Sequence, residues 1–404
     1  MPDIIVKKFG GTSVSNPEKI EKVANIIISS YKNNKNIVGV VSAQGNTTDV
    51  LIDKAYEINS SPSTREMDVL LSCGEQITIS LLTMAIEKKG YAAVSFTGWQ
   101  AEIITNSNFG NARIQKINTE KIYTELNKRN IVIIAGFQGI NEFGDITTLG
   151  RGGSDTTAIA LACVLKAKKC EIYTDVSGVF TADPKIVKNS KKLSSINYDE
   201  MFEMASLGAG VLHNRSVEMA KKYNVELEVK SSIENIEGTI IKNEDKNLEK
   251  MLITGVTKDS DIAKISLIGL ENKRGAAYKT FSKLAKEEIN VDIIIQNMNE
   301  NEKNISFTIS KNNLEKSLKI LNKNKNIIKF KNILCDKNLS KISIVGTGMI
   351  SNPGVASKMF EALHEEKINI HLISTSEIKI TVLVESKDAK KAMLAIHKKF
   401  FNEF

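Results

Sequence analysis

No stretch of this 404-residue chain holds an uninterrupted apolar run near the roughly 20 residues that a membrane-spanning helix needs. Its opening, Met-Pro-Asp-Ile-Ile-Val-Lys-Lys-Phe, lacks the apolar centre of a secretion signal, so a cytoplasmic location and no membrane partner are expected. Cysteine is scarce. Cys73, Cys163, Cys170 and Cys335 show no paired spacing of a zinc site or a disulfide framework, so buried reduced thiols and no metal site are expected. Aromatic residues are missing where nucleic acid would use them. The formal charge of +8 invites such a partner, but the lysine-dense stretch 316–331 has no interleaved aromatic platform. The strands expected at 263–269 and 341–346 carry no aromatic either, so a solvated lysine face, not RNA binding, is expected there.

What is present is the composition of an ordinary globular protein, 42% hydrophobic and 25% charged, in a chain long enough for two or three domains. Over the first two-thirds, β-branched runs alternate with helical periods, the pattern of an α/β sheet covered by helices. Strands are expected at 4–9, 37–42, 92–96, 131–136 and 170–174. Asn16 and Pro17 mark an N-cap and a first-turn proline, followed by Ile20, Val23, Ala24 and Ile27 at helical spacing. The polar stretch 243–250 breaks the pattern and closes a first domain, 1–245. An internal repeat follows. The first copy reads strand 263–269, a loop with Gly275, helix to 288, strands 291–297 and 304–310, helix, strand 327–334. The second reads strand 341–346, a loop with Gly354, helix to 367, strands 370–374 and 379–384, helix. The second copy is one strand short, and an uncovered sheet edge would leave backbone groups unpaired. The apolar run 252–256 is the expected substitute, which makes the first copy (260–335) an insertion in the second (250–258 plus 338–404).

Two glycine-rich turns carry the chemistry. Lys8-Phe9-Gly10-Gly11-Thr12-Ser13 follows the first strand and precedes a helix. The glycines admit a phosphate close to the backbone, and Lys8 adds a positive charge. The lysine precedes the glycines, unlike a Walker A loop, and such a turn alone is more often only a tight turn. In the second, 147–155, Arg151 can grip a carboxylate or phosphate in two parallel bonds. Ser154 can cap a helix expected at 156–166. The loop 42–49, short hydroxyl and amide side chains after the second strand, falls on the same sheet edge. Glu75 follows Gly74 in a helix expected at 65–88, at the rim of a stripe of Met67, Leu70, Leu71, Ile77 and Leu81. There it is either a solvated carboxylate or a receptor for a substrate ammonium. After the strand at 170–174, Asp175, Phe180 and Lys185 could meet a nucleotide, although Ser-Gly and Asp-Pro also simply spell turns.

Together these blocks resemble the aspartate kinase family. The resemblance rests on 8–14, 42–49, Gly74-Glu75, 149–157 and 174–185 in that order, with 345–356 and 373–380 similar to its paired ACT domains. It implies an amino-acid-kinase open sheet sandwiched by helices, followed by two ferredoxin-like (βαββαβ) ACT domains, and it implies the same insertion. It also implies phosphoryl transfer from ATP, with Mg²⁺, to L-aspartate. By position, Lys8, Asp155 and Arg151 would be catalytic, and Ser42, Thr48, Glu75, Arg151 and Gly153 would hold aspartate. Lys8, Gly10, Gly11, Thr12, Ser13, Thr174, Asp175, Phe180, Asp183 and Lys185 would meet the nucleotide. An effector amino acid, lysine first and threonine second, would be closed upon by Lys273, Ala276, Ala277, Asn290, Val291 and Asp292. A homodimer or dimer of dimers through the ACT domains would follow.

The chain departs from the family pattern at Gly210, where many members have lysine, at Asn214 for proline, at Phe180 for tyrosine and at Arg274 for proline. Loss of the lysine weakens ATP binding unless another lysine substitutes. The competing readings are a non-catalytic amino-acid sensor with a decayed kinase domain and another amino-acid kinase acting on glutamate, acetylglutamate, carbamate or a nucleotide.

Overall fold

The β-branched runs Ile4–Phe9 (β1) and Asn36–Val41 (β2) lie side by side and parallel, as their near-continuous apolar character requires of strands covered on both faces. The computed structural model describes residues 3–33, 35–243, 252–298, 302–350 and 352–401. Contacts divide the chain into two units, 1–180 with 191–248 and 181–190 with 249–404.

Between and after β1 and β2 the first unit carries α1 (Pro17–Lys32), α2 (Thr47–Ile58), α3 (Thr64–Glu87), β3 (Ala93–Phe96), β4 (Ile103–Thr105), β5 (Ile114–Ile117) and α4 (Glu120–Asn127). It continues with β6 (Ile131–Ala135), β7 (Gln138–Ile140), β8 (Ile146–Thr148), α5 (Gly153–Val164), β9 (Lys169–Thr174), β10 (Ser195–Asn197), α6 (Tyr198–Ser206), α7 (Asn214–Tyr223), β11 (Leu227–Ser231) and β12 (Thr239–Lys242). The main sheet has the order β10-β12-β11-β9-β1-β2-β6-β3, and a smaller one runs β5-β4-β7-β8. Asn16 caps α1 by accepting from the Lys19 N–H, with Pro17 in the first turn, as the sequence signals required.

Ile5, Phe9, Ile27, Ile37, Leu82 and Ile86 share one core that seats α1 and α3 on the sheet. Alternation along β1 sends adjacent lysines to opposite faces. Lys7, 2% exposed, turns to the face covered by α1, where its ammonium pairs with Glu171 and meets the Tyr173 hydroxyl at 3.1 Å. Burial alone would raise the Glu171 carboxyl, but Lys7 and Lys169 outweigh it and hold the group down to about 2. Lys8 turns to the other face, toward α5.

Helix α3, at 24 residues, is long and apolar enough to cross a membrane, a helix that a search for one unbroken apolar run passes over. Half of its most apolar stretch is buried within the protein. The thiols also differ from expectation: only Cys170 is buried, Cys163 is half-buried, and Cys73 and Cys335 are exposed, all four free.

The second unit holds β13 (Gly255–Asp259), β14 (Ala263–Glu271), α8 (Ala276–Ala285), β15 (Ile294–Met298), β16 (Glu302–Ile309), α9 (Leu314–Lys323), α10 (Lys325–Ile328) and β17 (Asn332–Asp336). Then follow β18 (Leu339–Val345), α11 (Val355–Glu365), β19 (Leu372–Thr375), β20 (Lys379–Glu385) and α12 (Ala389–Phe401). Two antiparallel sheets result, β15-β16-β14-β17 and β13-β18-β20-β19. The extra edge strand β13 pairs with β18, Gly255 opposite Val345, and begins three residues later than the run that suggested it. The strand expected at 327–334 begins late: residues 327–328 still belong to the helical turn 325–328, and β17 starts only at Asn332. The segment 181–190 contributes Ala182 and Val187 to the apolar core beneath the second of these sheets, with Ile396 and Phe400 of α12.

Candidate active site

Where β1 and β2 end and α3 and α5 approach, a cavity of about 820 Å³ is lined by Lys8, Ser42, Thr48, Glu75, Arg151 and Asp155, among others. Lys8, next to last in β1, places its ammonium 2.6 Å from Asp155 in the first turn of α5, both largely buried. Gly11 and Gly153 line the same cavity. Helix α5 begins at Gly153, not 156. Gly152, at φ 69°, is its N-cap, so Ser154 lies inside the first turn and caps nothing.

Glu75 sits deeper than the sequence suggested. The buried face of α3 is Asp68, Leu71, Ser72, Gly74, Glu75, Thr78, Ile79 and Leu82, whereas Ile77 and Leu81 of the expected stripe are exposed. Gly74 makes the approach possible, since a Cβ there would come within 2.7 Å of the Ala43 Cβ. The Ala43 N–H donates to Glu75 Oε1 at 2.9 Å. The other oxygen, Oε2, is buried with no hydrogen-bond partner among the described residues. Burial pushes the carboxyl up to about 7 against the pull of the Ala43 N–H. Arg151 is exposed and makes no ion pair among the described residues. The cavity thus offers an unsatisfied buried carboxylate, an open guanidinium and a paired lysine.

The structure gives the other expected nucleotide residues separate surroundings. The Gly10 N–H already donates to the Tyr173 carbonyl at 3.3 Å, so it is not open to a phosphate. Residues 11–14 form a 3-10 turn ahead of α1. In it Ser13 is buried and bonds the Ser232 hydroxyl at 2.8 Å, and the Thr12 carbonyl accepts from Lys19. The Thr174 hydroxyl donates to Asp175 at 3.0 Å, and half-buried Phe180 bridges to Lys192. Asp183 and Lys185 belong to the second unit, where the Lys185 N–H donates to the Asp183 carboxylate in a turn. Gly210 has φ 68°, a left-handed conformation that accounts for glycine where a lysine was noted as missing. Among the described residues no three His, Cys, Asp or Glu side chains converge on a metal-sized site.

Sequence reasoning missed Asp68, which also lines the cavity. It is 1% exposed, and burial raises its carboxyl against hydrogen bonds from Gly110 and Thr148. The available signal was its spacing, seven residues before Glu75, which puts both on one face of a helix.

In the second unit, Lys273 is exposed beside Glu271, and Ala276 and Ala277 open α8 behind Gly275. Asn290, Val291 and Asp292 precede β15 and do not start it. The Asp292 carboxylate is taken by Lys341 of β18. A cavity of about 440 Å³ lies in the other ACT-like copy, lined by Met349, Asn352, Gly354, Ser376 and Glu377.

Comparison with known proteins agrees with this geometry. Residues 3–231 match the amino acid kinase family, and 265–324 and 342–400 match an ACT domain. The chain is 54% identical to the aspartokinase of Bacillus sp. (strain MGA3) and 50% identical to aspartokinase 2 of Bacillus subtilis (strain 168), in each case over 98% of this chain and 97% of the relative. Its fold is similar to that of E. coli aspartokinase III in complex with aspartate and ADP, with a TM-score of 0.85 and 26% identity over 99% of this chain and all of that one. A complex of the same E. coli enzyme with lysine and aspartate gives a TM-score of 0.75, with 27% identity over 98% of this chain and 99% of that one. By sequence, fold and the Lys8, Glu75 and Arg151 cavity, the chain belongs to the amino acid kinase family, among the aspartokinases with paired ACT domains.

Proposed function

We propose that this chain transfers the γ-phosphoryl group of ATP to the β-carboxylate of L-aspartate, giving 4-phospho-L-aspartate, the first step toward lysine, threonine and methionine. The observation that carries the reading is the buried Glu75 oxygen without a partner, in one cavity with the open Arg151 and the Lys8–Asp155 pair. A buried charge without partners is costly, and a substrate ammonium on Glu75 removes that cost. Arg151 takes the α-carboxylate, Ser42 and Thr48 add hydrogen bonds, and the β-carboxylate is left to face Lys8.

Aspartate's β-carboxylate, with a reference pKa of about 3.9, is already ionised at neutral pH, so no general base is required. The remaining task is to bring two anions together and stabilise charge on the transferring group. Lys8 supplies that charge, and Asp155 fixes its ammonium in place. Mg²⁺, with no protein cage among the described residues, would arrive on the nucleotide's phosphates and add positive charge there. Gly11, Thr12, Ser13, Thr174, Asp175 and Phe180, with Asp183 and Lys185, are the proposed nucleotide contacts.

The ACT pair is assigned to feedback inhibition, with lysine as first effector and threonine as second, through Lys273, Ala276, Ala277, Asn290, Val291 and Asp292. The pairing of β13 with β18 supports a division into a catalytic domain (1–245), an inserted ACT domain (260–335) and a second one from 250–258 with 338–404. Exposed Ile294, Met298 and Ile373 on the ACT strands favour a homodimer or dimer of dimers through them, in the cytoplasm.

Trapping the acyl phosphate with hydroxylamine tests the assignment. Aspartate-dependent hydroxamate is expected, little or none with glutamate, and a loss of about 100-fold or more in Lys8→Ala. Folded protein that binds aspartate yet makes no hydroxamate would leave a non-catalytic amino-acid sensor.

A further inference from the structure

Two segments cross beside the cavity, 110–112 and 148–149, joined where the Ala112 N–H donates to the Thr148 carbonyl at 2.8 Å. Arg151 follows two residues after the second of them. Asp68 of α3 grips the crossing by its N–H groups: Gly110 donates to both carboxylate oxygens at 2.9 and 3.1 Å, and Thr148 donates its N–H at 2.8 Å and its hydroxyl at 2.7 Å. Arg215 of α7 grips the same crossing by its carbonyls, donating to Leu149 at 3.1 Å and to Ala112 at 3.0 Å. An anion holding the donors and a cation holding the acceptors of one strand crossing makes every bond charge-assisted, the stronger class. Asp68 meets no cation among the described residues, so the crossing is what its buried charge is spent on.

We propose that Asp68 and Arg215 are positioning residues that hold the Arg151 loop at a fixed distance from Glu75 and so set which amino acid the cavity accepts. The inference rests on the reading of Glu75 and Arg151 as the groups that hold the substrate. Asp68 and Glu75 stand seven residues apart on the buried face of α3, about 10 Å along one rigid helix. That helix holds the substrate's ammonium directly, through Glu75. Through Asp68 it also fixes the loop that takes the α-carboxylate. An amino acid one methylene longer then delivers its side-chain carboxylate past the position Lys8 serves.

Steady-state kinetics on Asp68→Asn, Arg215→Lys, Arg151→Ala and the double variant Asp68→Asn/Arg151→Ala test the proposal, with amide hydrogen exchange followed over 145–155. Asp68→Asn and Arg215→Lys are each expected to raise the KM for aspartate about tenfold while kcat and the KM for ATP stay within about twofold. Both variants should narrow the preference for aspartate over glutamate and speed exchange in 145–155. The double variant should be no worse than Arg151→Ala alone, because Asp68 acts through Arg151. An unchanged KM for aspartate in folded Asp68→Asn overturns the proposal, as does an equal rise when Arg151 is already alanine. If Asp68→Asn does not fold, Arg215→Lys carries the same comparison. An Arg151→Ala enzyme with an unaltered KM for aspartate would instead remove Arg151 from substrate binding, and the proposal with it.

Discussion

Glu75 is pulled two ways at the residue scale. Burial raises its carboxyl to about 7 in the free protein, while a bound ammonium favours the ionised form. The kcat/KM for aspartate is therefore expected to climb as pH rises through about 7 and then level off, whereas kcat at saturating aspartate shows the same rise at lower pH. A pH profile of both parameters checks this, and Glu75→Gln should flatten the first while raising the KM for aspartate. The sign for stability is opposite. The native state holds this proton more tightly than the unfolded chain, so the protein loses stability as pH rises from about 4.5 to 7. Glu75→Gln should accordingly be more stable by about 3 kcal/mol at pH 8 in urea unfolding, a gain absent at pH 4. Lys8, Arg151 and Asp155 were legible in the sequence because glycine-rich turns mark them. Asp68 was not, because its four hydrogen bonds all reach partners at least 42 residues away.

At the scale of the element, α3 shows how far periodicity reads. Its existence and ends were legible to within a residue, but the buried face was not. The stripe drawn through Met67, Leu70, Leu71, Ile77 and Leu81 follows hydrophobicity, and of these only Leu71 is buried, while the helix also buries Asp68, Ser72, Gly74, Glu75 and Thr78, of which Asp68 and Glu75 line the site. Small and polar residues were chosen there for close approach, and a hydrophobic pattern carries no record of that. Gly74→Ala tests the approach. The new methyl would press on the Ala43 Cβ, with an expected cost of about 1–2 kcal/mol in thermal or urea unfolding. Because the carboxylate next door moves with it, the KM for aspartate should also rise severalfold in the same variant.

For the whole molecule, the internal repeat was legible because two copies of one strand–helix order stand in sequence. The joint between the copies was not. Lys341 of β18, 5% exposed, pairs with Asp292 ahead of β15 and lies 3.5 Å from Asp259 of β13. Beside it, Ile262 and Ile293 share a small core with Leu339, Leu372 and Leu383. Asp292, one of the proposed effector contacts, also places its carboxylate on Lys341 at this joint. Lys341→Ala should loosen the two copies, weaken the proposed feedback inhibition, by lysine or by threonine, about fivefold and leave uninhibited turnover within about twofold, which inhibitor titration measures.

The segment 181–190 gives synthesis of the chain an order of events. Ala182 and Val187 belong to a core that is closed by Ile396 and Phe400, and Thr181 bonds His397 at 2.9 Å. On a ribosome adding roughly 5–20 residues per second, these residues leave the tunnel on the order of 10–40 s before their partners exist. A loop that follows β9 must therefore wait, with its apolar side chains uncovered, for the last helix. Expression of residues 1–248 alone, which carry 181–190 without the rest of its unit, would keep that wait from ever ending, with aggregation of the fragment as the cost.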